Sequence, residues 1–517
     1  MSLAAASVIF GMSCVLALVL APVVARLARR FGFVDSPDGN RKGQAEATPL
    51  GGGLAVALAA AATLFAVIAL DGGKSLESIG YPLLKGLLPA IGVLLIVGLL
   101  DDFVGLTGIY KLIGQVLATT LLIAGGVKFD GLSVFGMAWN LGDFSIPFTM
   151  FFCLGAINAF NLIDGSDALA SSVGAIVLLT LGIVSAAQGD VASSALCFAM
   201  AGALAGFLSF NAPPACIYLG DTGSMLIGLI VAAVAVSCSI KRQAAFALAV
   251  PIAMCAIPIL DAAAAMVRRM TTGQSVFAAD RGHLHHALLH RGWSAGRTAA
   301  FISALTAVTC AGALVSYFTQ NEAYALAAVG GVFVTLAATR VFGHAEMKLL
   351  ANQAASLLHA ANPRRAGRLA SGTQNSVQIH GRRHWEKIWT ALREAAPQHN
   401  LATLKLTVNI PRLHESFFAT WKCNDEEHGE EGWQATLPLK YDGRPIGKLQ
   451  VSGRSAGSVG LLEMQAFLEY LDPLEDQIRR LAADIAEDAS APISNSAVAD
   501  NFAQLPMAPA DTARVAL

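Results

Sequence analysis

The chain has 517 residues, 55% of them hydrophobic and only 14% charged, with a net charge of −1 and a mean hydropathy of +0.57. A soluble protein would carry nearly twice that charged fraction, so a wholly soluble chain is excluded. The net charge says nothing about a nucleic-acid partner, and no long basic run suggests one.

The apolar excess is confined to residues 1–342, which sets a polytopic membrane domain ahead of a soluble one. Crossing the hydrocarbon takes about 20 apolar residues per helix. Eleven such runs follow in chain order, at 4–26, 50–70, 82–100, 109–126, 145–163, 168–187, 191–210, 223–240, 244–265, 298–318 and 323–342. The first lacks a basic region before it and reads as an uncleaved span, not a signal peptide. The Ala and Gly content of these runs suits close helix–helix approach in lipid. The expected fold is therefore an all-α polytopic bundle over residues 1–344, with a soluble α+β domain after it. Six of the eight cysteines sit in the apolar runs, where a thiol behaves as a small hydrophobe, and no metal or disulfide spacing is present.

Basic residues concentrate in one alternate set of loops: Arg26, Arg29, Arg30, Arg41 and Lys42, then Arg268, Arg269, Arg281, Arg291 and Arg297. The positive-inside rule makes that face cytoplasmic. The polar motifs fall on the same face.

"LLDDFVGL" puts Asp101 and Asp102 at the end of the third run. Adjacent carboxylates at a membrane boundary are costly unless they meet a cation or titrate abnormally. A solvated helix end is the plainer use of such a pair. "NAFNLIDGSDALA" sets Asn158, Asn161, Asp164 and Asp167 at three-residue steps, one polar stripe on a helix that frays at Gly165. Hard oxygen donors of this kind suit magnesium, or equally a transported ion. "NAPPACIYLGDTGS" brings Asn211, Tyr218 and Asp221 to a predicted helix N-terminus. Free N–H groups there suit phosphate oxygens, while Asp, Thr and Ser are also ordinary caps. Tyr218 is placed either to stack on a base or to anchor at the interface.

"FAADRGHLHHALLH" packs four of the 11 histidines between Phe277 and His290. Neutral imidazoles can bind zinc, but no thiol or partner cluster completes such a site. Histidines beside Arg281 suit a diphosphate instead. In "DSPDGNRKG", Arg41 and Lys42 either set the topology or neutralise a phosphate at the membrane surface. Carboxylates for a metal, amide donors, cations and imidazoles on one face form the mixture that phosphoryl transfer needs. A nucleophile that lives in the membrane would be a lipid phosphate.

After residue 344 come a linker (345–380), an α+β domain (381–487) and an Ala/Ser/Pro-rich tail (488–517) without the means to bury a core. A helix is expected at 382–397, then strands at "LKLTVNI", "SFFATWKC", "WQATLPLKY" and "IGKLQVSG", with "YDGRP" as a tight hairpin between the last two. Leu461, Met464, Leu468, Leu471, Leu474, Ile478, Leu481 and Ile485 then recur at helical spacing. The order of sheet and helix resembles GAF-like sensor domains.

Over residues 1–342, "LLDDFVGL", "NAFNLIDGSDALA", "FLSFNAPPACIYLGDTGS" and "PILDAAAAMVRRMTTGQSVFAADRGHLHH" resemble, in order, the signature blocks of the polyprenyl-phosphate N-acetylhexosamine-1-phosphate transferases. "ADRGHLHH" is similar to the branch that uses UDP-N-acetylglucosamine (UDP-GlcNAc). The resemblance implies transfer of N-acetylglucosamine 1-phosphate to undecaprenyl phosphate, releasing UMP and requiring magnesium. It assigns Asp101 and Asp102 to the lipid phosphate, one of them as a base. It assigns Asn161, Asp164 and Asp167 to nucleotide or catalytic contacts, so that Asp101, Asp102, Asp164 and Asp167 are the candidate catalytic acids. Asp221, with Asp101, would hold the metal, and Asn211 is its polar neighbour. His283, His285 and His286, with Arg281, would meet the donor's diphosphate and sugar, and Lys42 a phosphate. Where the family usually has Asp-Gly in its central block, this chain has Asp167-Ala168.

Expected partners are a UDP-sugar, a polyprenyl phosphate, the plasma-membrane bilayer and, in a homodimer, a second copy. Another UDP-N-acetylhexosamine or UDP-MurNAc-pentapeptide is the alternative donor. The competing class is an ion-coupled transporter, which would place its acids near the bilayer midplane and show internal repeats; here the acids sit at one face and no repeat is found.

Overall fold

The computed structural model describes residues 1–35, 47–70, 81–134, 137–241, 249–272, 282–339, 341 and 347, and then 373–380, 385–410, 415–423, 432–441, 444–455, 457–471 and 480. The chain forms two compact units, Met1–Ala361 and Asn362–Leu517.

The first unit is a helical bundle: α1 (Leu3–Arg30), α2 (Gly52–Leu70), α3 (Tyr81–Val104), α4 (Gly108–Ala124), α5 (Ser145–Ile163), α6 (Leu169–Ala187), α7 (Val191–Asn211), α8 (Gly220–Lys241), α9 (Ala249–Met254), α10 (Ala256–Thr272), α11 (Leu284–His290), α12 (Ala295–Thr319) and α13 (Ala323–Ala338). Among the described residues eight helices are long and apolar enough to cross a membrane: α1, α2, α3, α5, α6, α7, α8 and α12. α4 and α13 are shorter apolar helices. The expected count of eleven is not confirmed among the described residues.

The 244–265 run accounts for one of the differences. Its described part is broken into α9 and α10 at Cys255. Pro258 has no N–H to return to the Met254 carbonyl, which faces the Cys310 thiol instead, at 3.8 Å. α10 then runs on to Thr272 carrying Asp261, Arg268 and Arg269, all buried.

α8 is the axis of the bundle, with every residue from Thr222 to Cys238 buried. α2, α3 and α5 pack around it. Its first turn is approached so closely that a methyl at Gly53 would lie 2.2 Å from Gly223 N, and one at Gly98 2.5 Å from Thr222 Cα. Small residues let these backbones nearly touch, which in lipid replaces the missing hydrophobic drive with dispersion. A ladder of main-chain bonds adds to this: Tyr218 N donates to Pro49 O, Gly52 N to Tyr218 O and Gly53 N to Leu219 O. The start of α8 is thereby held from two sides.

The second unit is an antiparallel five-stranded sheet of order β5-β7-β6-β9-β8, built from β5 (Thr373–His380), β6 (Leu401–Ile410), β7 (Glu415–Lys422), β8 (Trp433–Tyr441) and β9 (Arg444–Gly453). (β1, Val34–Asp35, with β2, Thr48–Pro49, and β3, Gly131–Val134, with β4, Met137–Asn140, are short pairs in the first unit.) The helices α14 (Trp385–Ala395) and α15 (457–471) accompany the sheet. Trp385, Trp389, Leu404, Leu406, Val408, Phe417, Trp421, Leu449 and Phe467 share one core, as alternation along the strands requires. Tyr441 pairs with Arg444 across Asp442-Gly443, the expected hairpin. β5 falls inside residues 345–380, which the sequence pattern assigns to a linker. Among the described residues β5 pairs only with β7, and as an edge strand "TQNSVQIH" lacks the apolar alternation that marks an inner strand.

Candidate active site

α3 ends in Asp101 and Asp102, and the two neighbours have opposite fates. Asp101 is buried; its Oδ1 accepts Leu106 N at 2.7 Å, and its Oδ2 lies 2.5 Å from Lys111 Nζ. Lys111, on the first turn of α4, also lies 2.6 Å from Asp221 Oδ2 on α8. Asn161 Nδ2, from the last turn of α5, donates to the other Asp221 oxygen at 2.6 Å and to Ser224 Oγ at 3.1 Å. Four helices therefore converge on one Asp–Lys–Asp–Asn constellation. One turn deeper on α4 and α5, Gln115 and Asn158 clasp each other, with Asn158 Nδ2 donating to Gln115 Oε1 at 2.7 Å.

Asp102 caps α8. Its Oδ1 accepts Asp221 N at 2.8 Å, and its Oδ2 accepts Thr222 Oγ1 at 2.7 Å and Thr222 N at 3.2 Å. The two amides expected to meet phosphate oxygens are thus taken by a carboxylate from another helix, an N-cap supplied in trans. Gly220, at φ +74°, leaves the room: a methyl there would stand 2.6 Å from Asp102 Oδ2. Asp102 fixes the turn that carries Asp221.

The loop between α5 and α6 places the remaining acids. Asp167 Oδ2 accepts Ala215 N at 3.0 Å, tying this loop to the one before α8. Asn211 is buried and engaged at both ends of its amide; its Oδ1 accepts Ala168 N and Ser171 Oγ, and its Nδ2 donates to Ile217 O. It knits the two loops together. Asp164, next to this lattice, makes no side-chain hydrogen bond among the described residues. Burial, then the charges of Asp102 and Asp167, pushes its carboxyl up to about 8.

The histidines form a second centre. His283 caps α11, and its Nδ1 lies 2.9 Å from Asp261 Oδ2 on α10. His285 stacks on His283 with ring centroids 5.9 Å apart and lies 4.2 Å from the ring of His286. The edge of His285 rests on Gly165, where a methyl would lie 2.4 Å from Nε2, so the histidine centre touches the loop of Asp164 and Asp167. Neither ring nitrogen of the buried His285 has a hydrogen-bond partner among the described residues. Burial and the neighbouring His286 push its imidazole down to about 3.

Lys42 and Arg281 lie outside the described residues. The other expected positions fall at one end of the bundle, but with different roles. Asp101 and Asp221 share the Lys111 ammonium, Asn161 donates to Asp221, Asp102, Asp167 and Asn211 hold loops, and Asp164 and the histidines line the neighbouring ground. Two participants were not expected, Lys111 and Asp261. Both are charged residues inside predicted apolar runs, a costly placement that is itself a sequence signal.

Residues 84–239 match the model of Glycosyl transferase family 4. Over 289 residues the chain is 31% identical to a probable undecaprenyl-phosphate N-acetylglucosaminyl 1-phosphate transferase of Bacillus subtilis, covering 56% of this chain and 78% of that protein. It is 34% identical over 343 residues to a decaprenyl-phosphate N-acetylglucosaminephosphotransferase of Mycobacterium tuberculosis, covering 62% and 84%. It is 35% identical over 226 residues to a phospho-N-acetylmuramoyl-pentapeptide-transferase of Clostridium perfringens, covering 41% and 69%.

Proposed function

Because this chain belongs to the polyprenyl-phosphate hexosamine-1-phosphate transferases of Glycosyl transferase family 4, we propose that its donor is UDP-GlcNAc and its acceptor undecaprenyl phosphate. One observation carries the choice of donor: the similarity to relatives named for N-acetylglucosamine spans 56–62% of the chain, against 41% for the muramoyl-pentapeptide relative. "ADRGHLHH" points the same way.

The reaction is an exchange at phosphorus. A non-bridging oxygen of the lipid phosphate bonds to the β-phosphorus of the UDP-sugar, and the bond from that phosphorus to the oxygen bridging to the α-phosphate breaks. UMP leaves with that oxygen and its electron pair, and the polyprenyl-diphosphate sugar remains. The nucleophile is already an anion, so the chain's task is positioning and charge compensation more than proton removal.

We propose magnesium as the metal. Asp101 and Asp221 each aim an oxygen at the same ammonium of Lys111, so the pocket faces a cation, and two carboxylates are what magnesium takes from protein when water and phosphate complete its shell. When bound, the metal supplies neutralisation of phosphate charge. Asn161 orients Asp221, and Asp102 holds the turn beneath it. Lys111 balances the acids and, when released from one of them, carries its charge to a phosphate oxygen. The site faces the cytoplasm in this reading, as the basic loops indicate.

Supplying purified full chain with undecaprenyl phosphate, magnesium and a panel of UDP-sugars tests the reading. UMP should appear with UDP-GlcNAc and require the lipid. Turnover with UDP-MurNAc-pentapeptide, or with another UDP-N-acetylhexosamine in preference, overturns the donor assignment.

A further inference from the structure

α10 reaches the histidine-bearing segment with two buried groups seven residues apart, two helical turns along one face. The Arg268 guanidinium lies under Gly282, where a methyl would come within 2.5 Å of Cζ. One end of the "GHLHH" stretch is therefore pressed flat on the helix. Asp261 takes the next two residues: Oδ2 stands 2.9 Å from His283 Nδ1, and Oδ1 accepts Leu284 N at 2.8 Å. Asp261 and His283 are each at least 95% buried. The geometry leaves little freedom in how protons are placed. A backbone N–H can only donate, so Oδ1 is an acceptor. A carboxylate has no hydrogen of its own, so the bond to Oδ2 must come from Nδ1–H of the imidazole. Nε2, across the ring, is then the atom left for a ligand.

We infer that Asp261 is a positioning residue for the transfer reaction, fixing His283 in the Nδ1–H tautomer and in one ring orientation so that Nε2, which can then only accept, is presented to a hydroxyl or amide N–H of the donor's sugar. This rests on the proposed reading of the histidine centre as a donor site. It gives a chemical reason for a carboxylate buried in an apolar helix, where a charge without such a task is costly. It also explains why both oxygens are used: the bond to Leu284 N prevents the carboxylate from rotating, and an acid held by two bonds defines the plane of the ring it meets. Partners of this kind behind a ligating or catalytic imidazole are commonly worth 10–100-fold.

Asp261→Asn is nearly isosteric but has one acceptor in place of two. If its oxygen keeps Leu284 N, its amide faces Nδ1 as a donor and drives the proton to Nε2. On full-length protein, kcat/KM for the donor that the sugar panel identifies should fall about 10–100-fold. The effect should vanish in a His283→Gln background, because the two residues act through one ring. A fall of under twofold, or penalties that multiply in the double variant, overturns the inference. A second measurement needs no variant and no substrate: 15N spectra of histidine-labelled wild type in bilayers should show His283 protonated at Nδ1 near neutral pH. A neutral ring protonated at Nε2 instead overturns it, even if Asp261→Asn fails to fold. Should no UDP-sugar be turned over, the proposed function fails while the spectra still report on the tautomer, so the two failures can be told apart.

Discussion

The acidic and histidine centres are built in opposite ways. In the acidic centre the bonds that matter join residues far apart in the chain: Lys111 to Asp221, Asp102 to Thr222 and Asn161 to Asp221, from helices that meet only in the bundle. In the histidine centre Asp261, His283 and Leu284 lie within 23 residues, one helix and the cap of the next. The first exists only when α3, α4, α5 and α8 are in place, so its parts should fail together. The second is semi-local, and its loss should be confined to the donor end of the reaction.

The largest effect should come from Asp221, on which Lys111, Asn161 and the metal all depend. Asp221→Asn should lower kcat by on the order of 10²–10³-fold in UMP-release assays, and Asn161→Ala in the same background should add little. Independent penalties would show that the acidic centre is not a single unit. Lys111→Met leaves the buried Asp101 facing Asp221 without a counter-charge, which should destabilise the protein by about 3–5 kcal/mol in magnesium-free melts. Added magnesium should restore much of that if these two acids hold the ion. Next, Asn211→Ala strands the buried Ala168 N–H and removes the tie between two loops, at about 2–3 kcal/mol by the same melts.

A smaller effect distinguishes the histidine centre by pH. His285 is held neutral when folded, with its pKa near 3, whereas the unfolded chain takes up a proton at about 6.5. The unfolded state therefore binds more protons as pH falls below that value, and stability drops by about 1 kcal/mol per unit there. His285→Gln should flatten the slope of melting temperature between pH 5 and pH 6.5, and an unchanged slope would mean that the imidazole is not held neutral. The smallest expected change is a gain. Ala168 sits at φ +64°, a left-handed conformation that costs an L-residue about 1 kcal/mol or more, in the place where the resembling family has Gly. Ala168→Gly should stabilise by up to about 1 kcal/mol in the same melts, net of the greater freedom of unfolded Gly.

Much of this architecture was legible in the chain alone. Apolar runs of spanning length mark most helices because lipid demands them, and α3, α5, α7 and α8 lie where the runs at 82–100, 145–163, 191–210 and 223–240 predicted. Asp101, Asn161 and Asp221 stand out because polar groups are conspicuous against such a background. Within the 244–265 run, hydropathy does not register that Pro258 interrupts the ladder at Met254, or that Asp261 meets His283. β5 is not legible in the sequence because an edge strand takes its stability from pairing and not from a core-facing pattern.

Sequence by itself determined the membrane domain, the sheet-bearing unit after it and the set of polar groups at one end of the bundle, since these follow from composition and period. Only the tertiary structure decided what each group does. Asp101 and Asp102 are chemically identical neighbours, yet one faces an ammonium and the other caps a helix 119 residues away. Successive residues on a helix point about 100° apart, so the helices they meet, and hence their chemistry, are set by packing.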